Sequence, residues 1–92
     1  MDHTRTKKIR IVNDLGLHGR AAAKIVELAG KYNSKLFIKK DDNEVDCASI
    51  LSILTLACPK GTEITARAVG DDSEELIENL DKLFKQKFGE NK

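Results

Sequence analysis

Residues 62–84 read TEITARAVGDDSEELIENLDKLF, and two different periodicities meet in this one stretch. From Thr62 to Val69 the residues Ile64, Ala66 and Ala68 alternate with Glu63, Thr65 and Arg67, the period of a strand with one buried face. Beyond Asp72 the residues Leu76, Ile77, Leu80, Leu83 and Phe84 form one apolar stripe at helical spacing. Asp72 is expected to cap this helix, with Glu75 three residues later in the capping-box position. Glu74, Glu75 and Glu78 stand early and Lys82, Lys85 and Lys87 late, which matches the helix dipole and reads as a solvated helix end. A half-buried strand followed by a one-striped helix implies a sheet covered on a single side.

The rest of the chain supplies the other layers. Lys7–Val12 alternates as a strand, and Asn13-Asp14-Leu15-Gly16 interrupts it with turn formers. From Gly19 to about Ala29 the apolar set Ala21, Ala22, Ile25, Val26, Leu28 and Ala29 has helical spacing, and Gly30 closes it. Lys35–Lys39 predicts a second strand, Asp41-Asp42-Asn43 a turn, and Glu44–Asp46 a short third strand. Ser49 opens a short helix through about Leu56, with Ile50, Ile53 and Leu54 as expected buried positions. Pro59-Lys60-Gly61 then breaks the chain before the fourth strand. The order βαββαβα predicts an α+β open-faced β-sandwich. Its four-stranded antiparallel sheet is covered on one face by three helices, in one domain over residues 1–92.

Composition narrows the function. Apolar residues make up 40 % and charged residues 34 %, the balance of a soluble globular chain. Sixteen basic residues against fifteen acidic ones leave a net charge of +1, so no basic face for nucleic acid is expected. Aromatic residues are 4 %, too few for base-stacking platforms. No apolar run approaches the ~20 residues that cross a bilayer, and the first residues lack the apolar core of a signal peptide, so a cytoplasmic location is expected. Cys47 and Cys58 read as small, reduced core residues. His3, His18, Cys47 and Cys58 contain no close ligand pair, and neither a metal nor another cofactor is expected.

The candidate chemistry lies in Gly16-Leu17-His18-Gly19-Arg20. A histidine beside an arginine in a loop is ordinarily solvated surface; its position at a helix start adds more. There the backbone N–H groups of Gly19, Arg20 and Ala21 and the positive helix end favour a phosphoryl oxygen. The same end disfavours imidazolium and is expected to keep His18 neutral and nucleophilic. Arg20 adds a fork of donors suited to phosphate, and Gly16 and Gly19 keep the backbone free of bulk. The chain has no Gly-rich nucleotide loop and no grouped carboxylates for magnesium, so it is not expected to bind and cleave a phosphoryl donor by itself.

Gly16-Leu17-His18-Gly19-Arg20-Ala21-Ala22 resembles the phosphorylation site of the HPr family, whose pattern is Gly-Leu-His-x-Arg-Pro-Ala. These are the histidine-containing phosphocarriers of the bacterial phosphoenolpyruvate-dependent sugar phosphotransferase system. Ser49-Ile50-Leu51 through Leu56, with Lys60-Gly61-Thr62-Glu63-Ile64, resembles the family's regulatory-serine helix and the turn after it. The resemblance implies that His18 takes a phosphoryl group on Nδ1 from enzyme I and passes it to an enzyme IIA. That is transferase chemistry without independent turnover, carried out by a monomer. The family's proline is Ala21 here, which keeps the helix but frees an extra N–H.

Ser49 at a helix start is accounted for as an N-cap hydroxyl. The resemblance adds phosphorylation there by HPr kinase/phosphorylase, which would set a dianion on the surface used by enzyme I. Leu51 has the wrong phase for burial, and a single exposed leucine is ordinary. By the resemblance, Leu51 and Leu54 form an apolar docking patch that Ala22, Ala23 and Lys24 extend. Two other readings stand beside the carrier: a regulatory binding module controlled at Ser49 with His18 idle, and the related nitrogen-branch carrier, which the serine block fits less well.

Overall fold

The computed structural model describes residues 3–92. Its elements are β1 (Thr4–Arg10), α1 (Gly19–Ala29), β2 (Lys35–Lys40), β3 (Asn43–Asp46), α2 (Ile50–Leu54), β4 (Glu63–Val69) and α3 (Ser73–Lys85), followed by a 3-10 turn at Lys87–Gly89. The four strands form one antiparallel sheet in the order β1-β4-β2-β3, with the three helices over one face, as the alternation predicts.

The register explains the layers. Ala66 of β4 stands between Lys7 and Ile38, and Ala68 between Arg5 and Leu36. The small alanines on the central strand let the helices come close, and their stripes complete the core: Ala21, Ala22 and Ile25 from α1, and Leu76, Ile77, Leu80 and Phe84 from α3. At the β1 edge the inward positions are Arg5 and Lys7, whose cations pair with Glu74 and Asp81 of α3 at 3.7 and 3.3 Å. The long stems of these side chains cover the edge while their charges reach α3.

Several boundaries differ from the sequence expectation. β1 starts at Thr4 rather than Lys7, and Ile11 lies past its end. Even so, Ile11 continues the pairing through Ile11 N–H to Thr62 O (2.9 Å) and Gly61 N–H to Ile11 O (2.8 Å). α2 stops at Leu54, and Ala57 after it has a φ of 51°. Of the three expected buried positions on α2 only Ile53 is buried; Ile50 is 38 % exposed and Leu54 37 %. A five-residue helix makes little more than one turn, so only one of its residues can face the core.

Asp72 also departs from its expected role. It occupies the N-cap position of α3, but its carboxylate makes no cap hydrogen bond. Instead it accepts Asn33 N–H and Ser34 N–H, both at 2.8 Å, and the Ser34 hydroxyl, tying the start of α3 to the loop between α1 and β2. Two backbone donors and a hydroxyl outcompete a single N–H of its own helix.

These bonds, the Ser34 hydroxyl first, hold the Asp72 carboxyl below the usual carboxylate range. The unfolded chain therefore protonates this carboxyl at higher pH than the folded chain does. Its stabilisation is complete above about pH 4 and is lost as the pH falls through the lower folded value. Asp72→Ala is expected to lower the urea midpoint at pH 7, with the gap from wild type closing as the pH is taken below about 4.

Candidate functional site

His18 is itself the N-cap of α1. Its φ and ψ of −77° and 177° are extended, its carbonyl accepts Ala22 N–H at 2.9 Å, and its Nδ1 accepts Arg20 N–H at 3.3 Å. The loop before it is pinned to the segment before β4, because Leu17 N–H donates to Cys58 O at 2.9 Å. Gly16 makes this approach possible: its φ is 65°, and a Cβ there would lie 2.3 Å from Cys58 O. The imidazole is half-buried, with Nδ1 turned to the first turn of the helix.

The other ring nitrogen has a partner that sequence reading misses. Nε2 lies 2.6 Å from Oε2 of Glu90, seventy-two positions along the chain. Asn13 Nδ2 donates both to Glu90 Oε1 at 3.0 Å and to Gly16 O at 2.9 Å. These two acceptors orient the Asn13 amide, leaving its buried Oδ1 without a hydrogen-bond partner among the described residues. The Glu90 carboxyl is held below the usual carboxylate range, first by its hydrogen bond with His18. Asn13, the field of Arg20 and that of His18 when it is protonated add to this against the opposing effect of burial.

Glu90 reaches the site because the chain turns back after α3. Lys87, Phe88 and Gly89 have φ of 55°, 56° and 81°, and Phe88 is buried against Phe84 with ring centroids 4.9 Å apart. Left-handed backbone costs a non-glycine residue about 1–2 kcal/mol. Burying a phenylalanine gains about 1.5–3 kcal/mol, and the edge-on ring pair adds about 0.5–1.5 kcal/mol. The Lys24 ammonium on Phe88 O and Asp14 N–H on Lys92 O (3.1 Å) hold the tail further. The one sequence signal for this return is an apolar residue followed by glycine, Phe88-Gly89, just past the stripe of α3.

The remaining expected residues are placed as follows. Arg20 is exposed, and its guanidinium is free of hydrogen bonds and ion pairs among the described residues. Gly19 and Ala21 belong to the first turn, where no preceding turn supplies carbonyls to their N–H groups. Ala22 is a correction: it is 0 % exposed and packs in the core, so it offers no docking surface. Ala23 is half-buried, and the Lys24 ammonium is engaged with the tail. Leu51 is 74 % exposed and Leu54 partly so, on a helix that packs against α1. Ser49 is the N-cap of α2, its Oγ accepting Ser52 N–H at 3.3 Å. Cys47 and Cys58 are buried; burial first, with Asp46 and Glu44 adding to it, pushes the Cys47 thiol up to about 12, far from a reactive thiolate. No helix among the described residues is long and apolar enough to cross a membrane.

Chemically, the site offers a ring nitrogen and first-turn N–H donors at a helix start, with an exposed guanidinium on the same first turn. On the ring's far nitrogen it places a carboxylate. A phosphoryl group on Nδ1 would displace the Arg20 N–H cap bond and offer that donor an oxygen in exchange.

A family model described as the PTS HPr component phosphorylation site matches residues 5–86. The phosphocarrier protein HPr of Cupriavidus necator is 38 % identical over 80 residues, covering 87 % of this chain and 90 % of its own. The HPr-like protein Crh of Bacillus subtilis is 36 % identical over 74 residues, covering 80 % and 87 %. Among solved structures, HPr-C-His from Thermoanaerobacter tengcongensis superposes with a TM-score of 0.91 at 39 % identity, over 96 % of this chain and 99 % of that one.

The two glycines beside His18 are expected to respond differently to alanine. Gly16→Ala forces a Cβ into Cys58 O and should lower stability by about 2 kcal/mol or more. Gly19→Ala, whose Cβ meets nothing within 4 Å, should change it by less than about 1 kcal/mol. Urea unfolding of the two variants checks this contrast.

Proposed function

The chain belongs to the HPr family of phosphocarriers, and on that premise we propose that it accepts a phosphoryl group on His18 Nδ1 from phosphorylated enzyme I and donates it to an enzyme IIA domain. The observation that supports this reading most is Nδ1 itself: it lies 3.3 Å from Arg20 N–H at the first turn of α1, and the guanidinium of the same Arg20 has no hydrogen bond or ion pair among the described residues. On this reading His18 is the nucleophile, the first-turn N–H groups and Arg20 receive the phosphoryl oxygens, and the phosphoryl group and the acceptor come from other proteins. The chain works as a cytoplasmic monomer of one domain, and needs neither metal nor cofactor for the step. Ala21 in place of the family's proline leaves α1 starting at Gly19 and adds one N–H to the first turn.

Docking of both partners is assigned to the exposed Leu51 and Leu54 of α2 together with Ala23 and Arg20 of α1. Ser49 opens that same α2 and is exposed, so phosphorylation by an HPr kinase/phosphorylase would bring a dianion to the docking surface without refolding it. The relation to Crh gives the regulatory-module reading some weight. The half-buried and hydrogen-bonded His18 favours the carrier, because an idle histidine has no use for an ordered carboxylate and an ordered cap.

With phosphoenolpyruvate and enzyme I, wild type is expected to take up one acid-labile phosphoryl group and His18→Ala none. The variant should remain folded, with a loss of about 0.5–2 kcal/mol for the missing cap. A wild type left unlabelled by an active enzyme I would overturn the carrier reading in favour of the Ser49-controlled module. Ser49→Asp is expected to slow labelling about tenfold, the effect of ~1.4 kcal/mol at the docking step, with folding unchanged. Initial rates measured at subsaturating carrier decide it.

A further inference from the structure

We propose that Glu90 is a positioning residue for phosphoryl transfer: by accepting the Nε2 proton of His18 it closes that nitrogen to phosphorylation, directs the group to Nδ1, and stabilises the imidazolium that results. The proposal rests on the phosphocarrier reading of His18 and extends it to a residue outside the matched stretch 5–86.

The hydrogen bonds of the ring are satisfied by one protonation pattern of the neutral imidazole. An ionised carboxylate only accepts, so Nε2 beside Glu90 Oε2 at 2.6 Å is the donor. A backbone N–H only donates, so Nδ1 beside Arg20 N–H at 3.3 Å carries the lone pair. The reactive electron pair is therefore on the nitrogen that faces the helix start, and the proton is on the nitrogen that faces the tail.

The carboxylate is held in place rather than merely nearby. Asn13 Nδ2 grips its second oxygen, the Asn13 side chain is buried, and the tail behind it is fixed by Phe88 in the core and by the Lys24 and Asp14 contacts. The Glu90 side chain is 11 % exposed and that of His18 28 %, so solvent screens the pair far less than a surface ion pair. Arg20 of α1 is a further charge at the site, and its field also reaches Glu90; Asp14, in the preceding loop, is paired with Lys60 at 2.9 Å.

The transfer step balances without further groups. The Nδ1 lone pair forms the N–P bond, the bond from phosphorus to the donor breaks, and its electron pair returns to the donor. The ring keeps its Nε2 proton and becomes a phosphorylated imidazolium of charge +1, directly against Glu90. Donation to the next protein reverses each of these events. A carboxylate at this position favours the charged ring over its deprotonated form, as an opposite charge does for any ionisable group.

The test uses the full chain and phosphoramidate, a small P–N donor that phosphorylates histidine without enzyme I and releases ammonia. Wild type, Glu90→Gln and Glu90→Ala are treated alike and followed by phosphorus-31 and nitrogen-15 NMR. Wild type is expected to show a single isomer, on Nδ1. Glu90→Ala is expected to show a second resonance from the Nε2 isomer, and in Glu90→Gln the pH at which the phosphorylated ring loses its Nε2 proton should fall by about one unit or more. A single Nδ1 isomer in all three proteins with an unchanged pH midpoint would overturn the proposal, and would leave Glu90 as a tail contact only. Failure of enzyme I to label the wild type, with the isomer and midpoint changes still present, would remove the carrier reading while retaining the effect of Glu90 on the ring.

Discussion

The face that Ile64, Ala66 and Ala68 present from β4, in the middle of the sheet, has to be kept from water, and most of the architecture follows from how that is done. Two alanines leave a shallow surface on which α1 and α3 can lie close. α1 reaches it with Ala21, Ala22 and Ile25, all fully buried, and this packing determines where the first turn of α1 begins. His18 stands one residue before that turn. The position of His18 Nδ1 is therefore a consequence of core packing some distance from it, transmitted through a rigid helix.

The second constraint is the return of the chain beyond α3. Two non-glycine residues adopt left-handed backbone there, a conformation that persists only where surrounding structure enforces it. Phe88 in the core provides that enforcement, and the outcome is a carboxylate on the far side of the His18 ring. The site thus has two halves of different origin. The helix start supplies N–H donors to one side of the ring, and the tail supplies a carboxylate to the other nitrogen. A helix end by itself would act against a positive ring; with Glu90 present, the ring has a partner for either charge state.

The fold was largely legible in the sequence because its signals are local and repeated: period two in β2 and β4, and single stripes in α1 and α3. α1 runs from Gly19 to Ala29, as the spacing predicts. What failed were inferences that depend on how a residue is oriented in the packed structure. Asp72 carries the composition of a capping residue yet serves Asn33 and Ser34, because three converging donors outweigh one. Ala22 lies beside the site in sequence but faces the sheet, because helical phase rather than proximity decides which side it takes. Ile50 and Leu54 looked like core on hydrophobicity alone, while a helix of five residues can bury only one face position, here Ile53.

For the site, His18, Arg20 and the first-turn backbone are read from one contiguous run, since a helix start, its cap and a nearby cation are neighbours along the chain. The same run, with the Ser49 segment, sufficed to identify the family. Glu90 and Asn13 could not be read in this way. Their contact with each other spans seventy-seven positions and exists because Phe88 is buried and the backbone reverses over three left-handed residues. Local periodicity and capping chemistry act between residues a few positions apart, and these determined the elements and the place of His18 at the start of α1. Which distant carboxylate meets the ring depends on how the packed elements close on one another, and that was decided only when the tertiary structure formed.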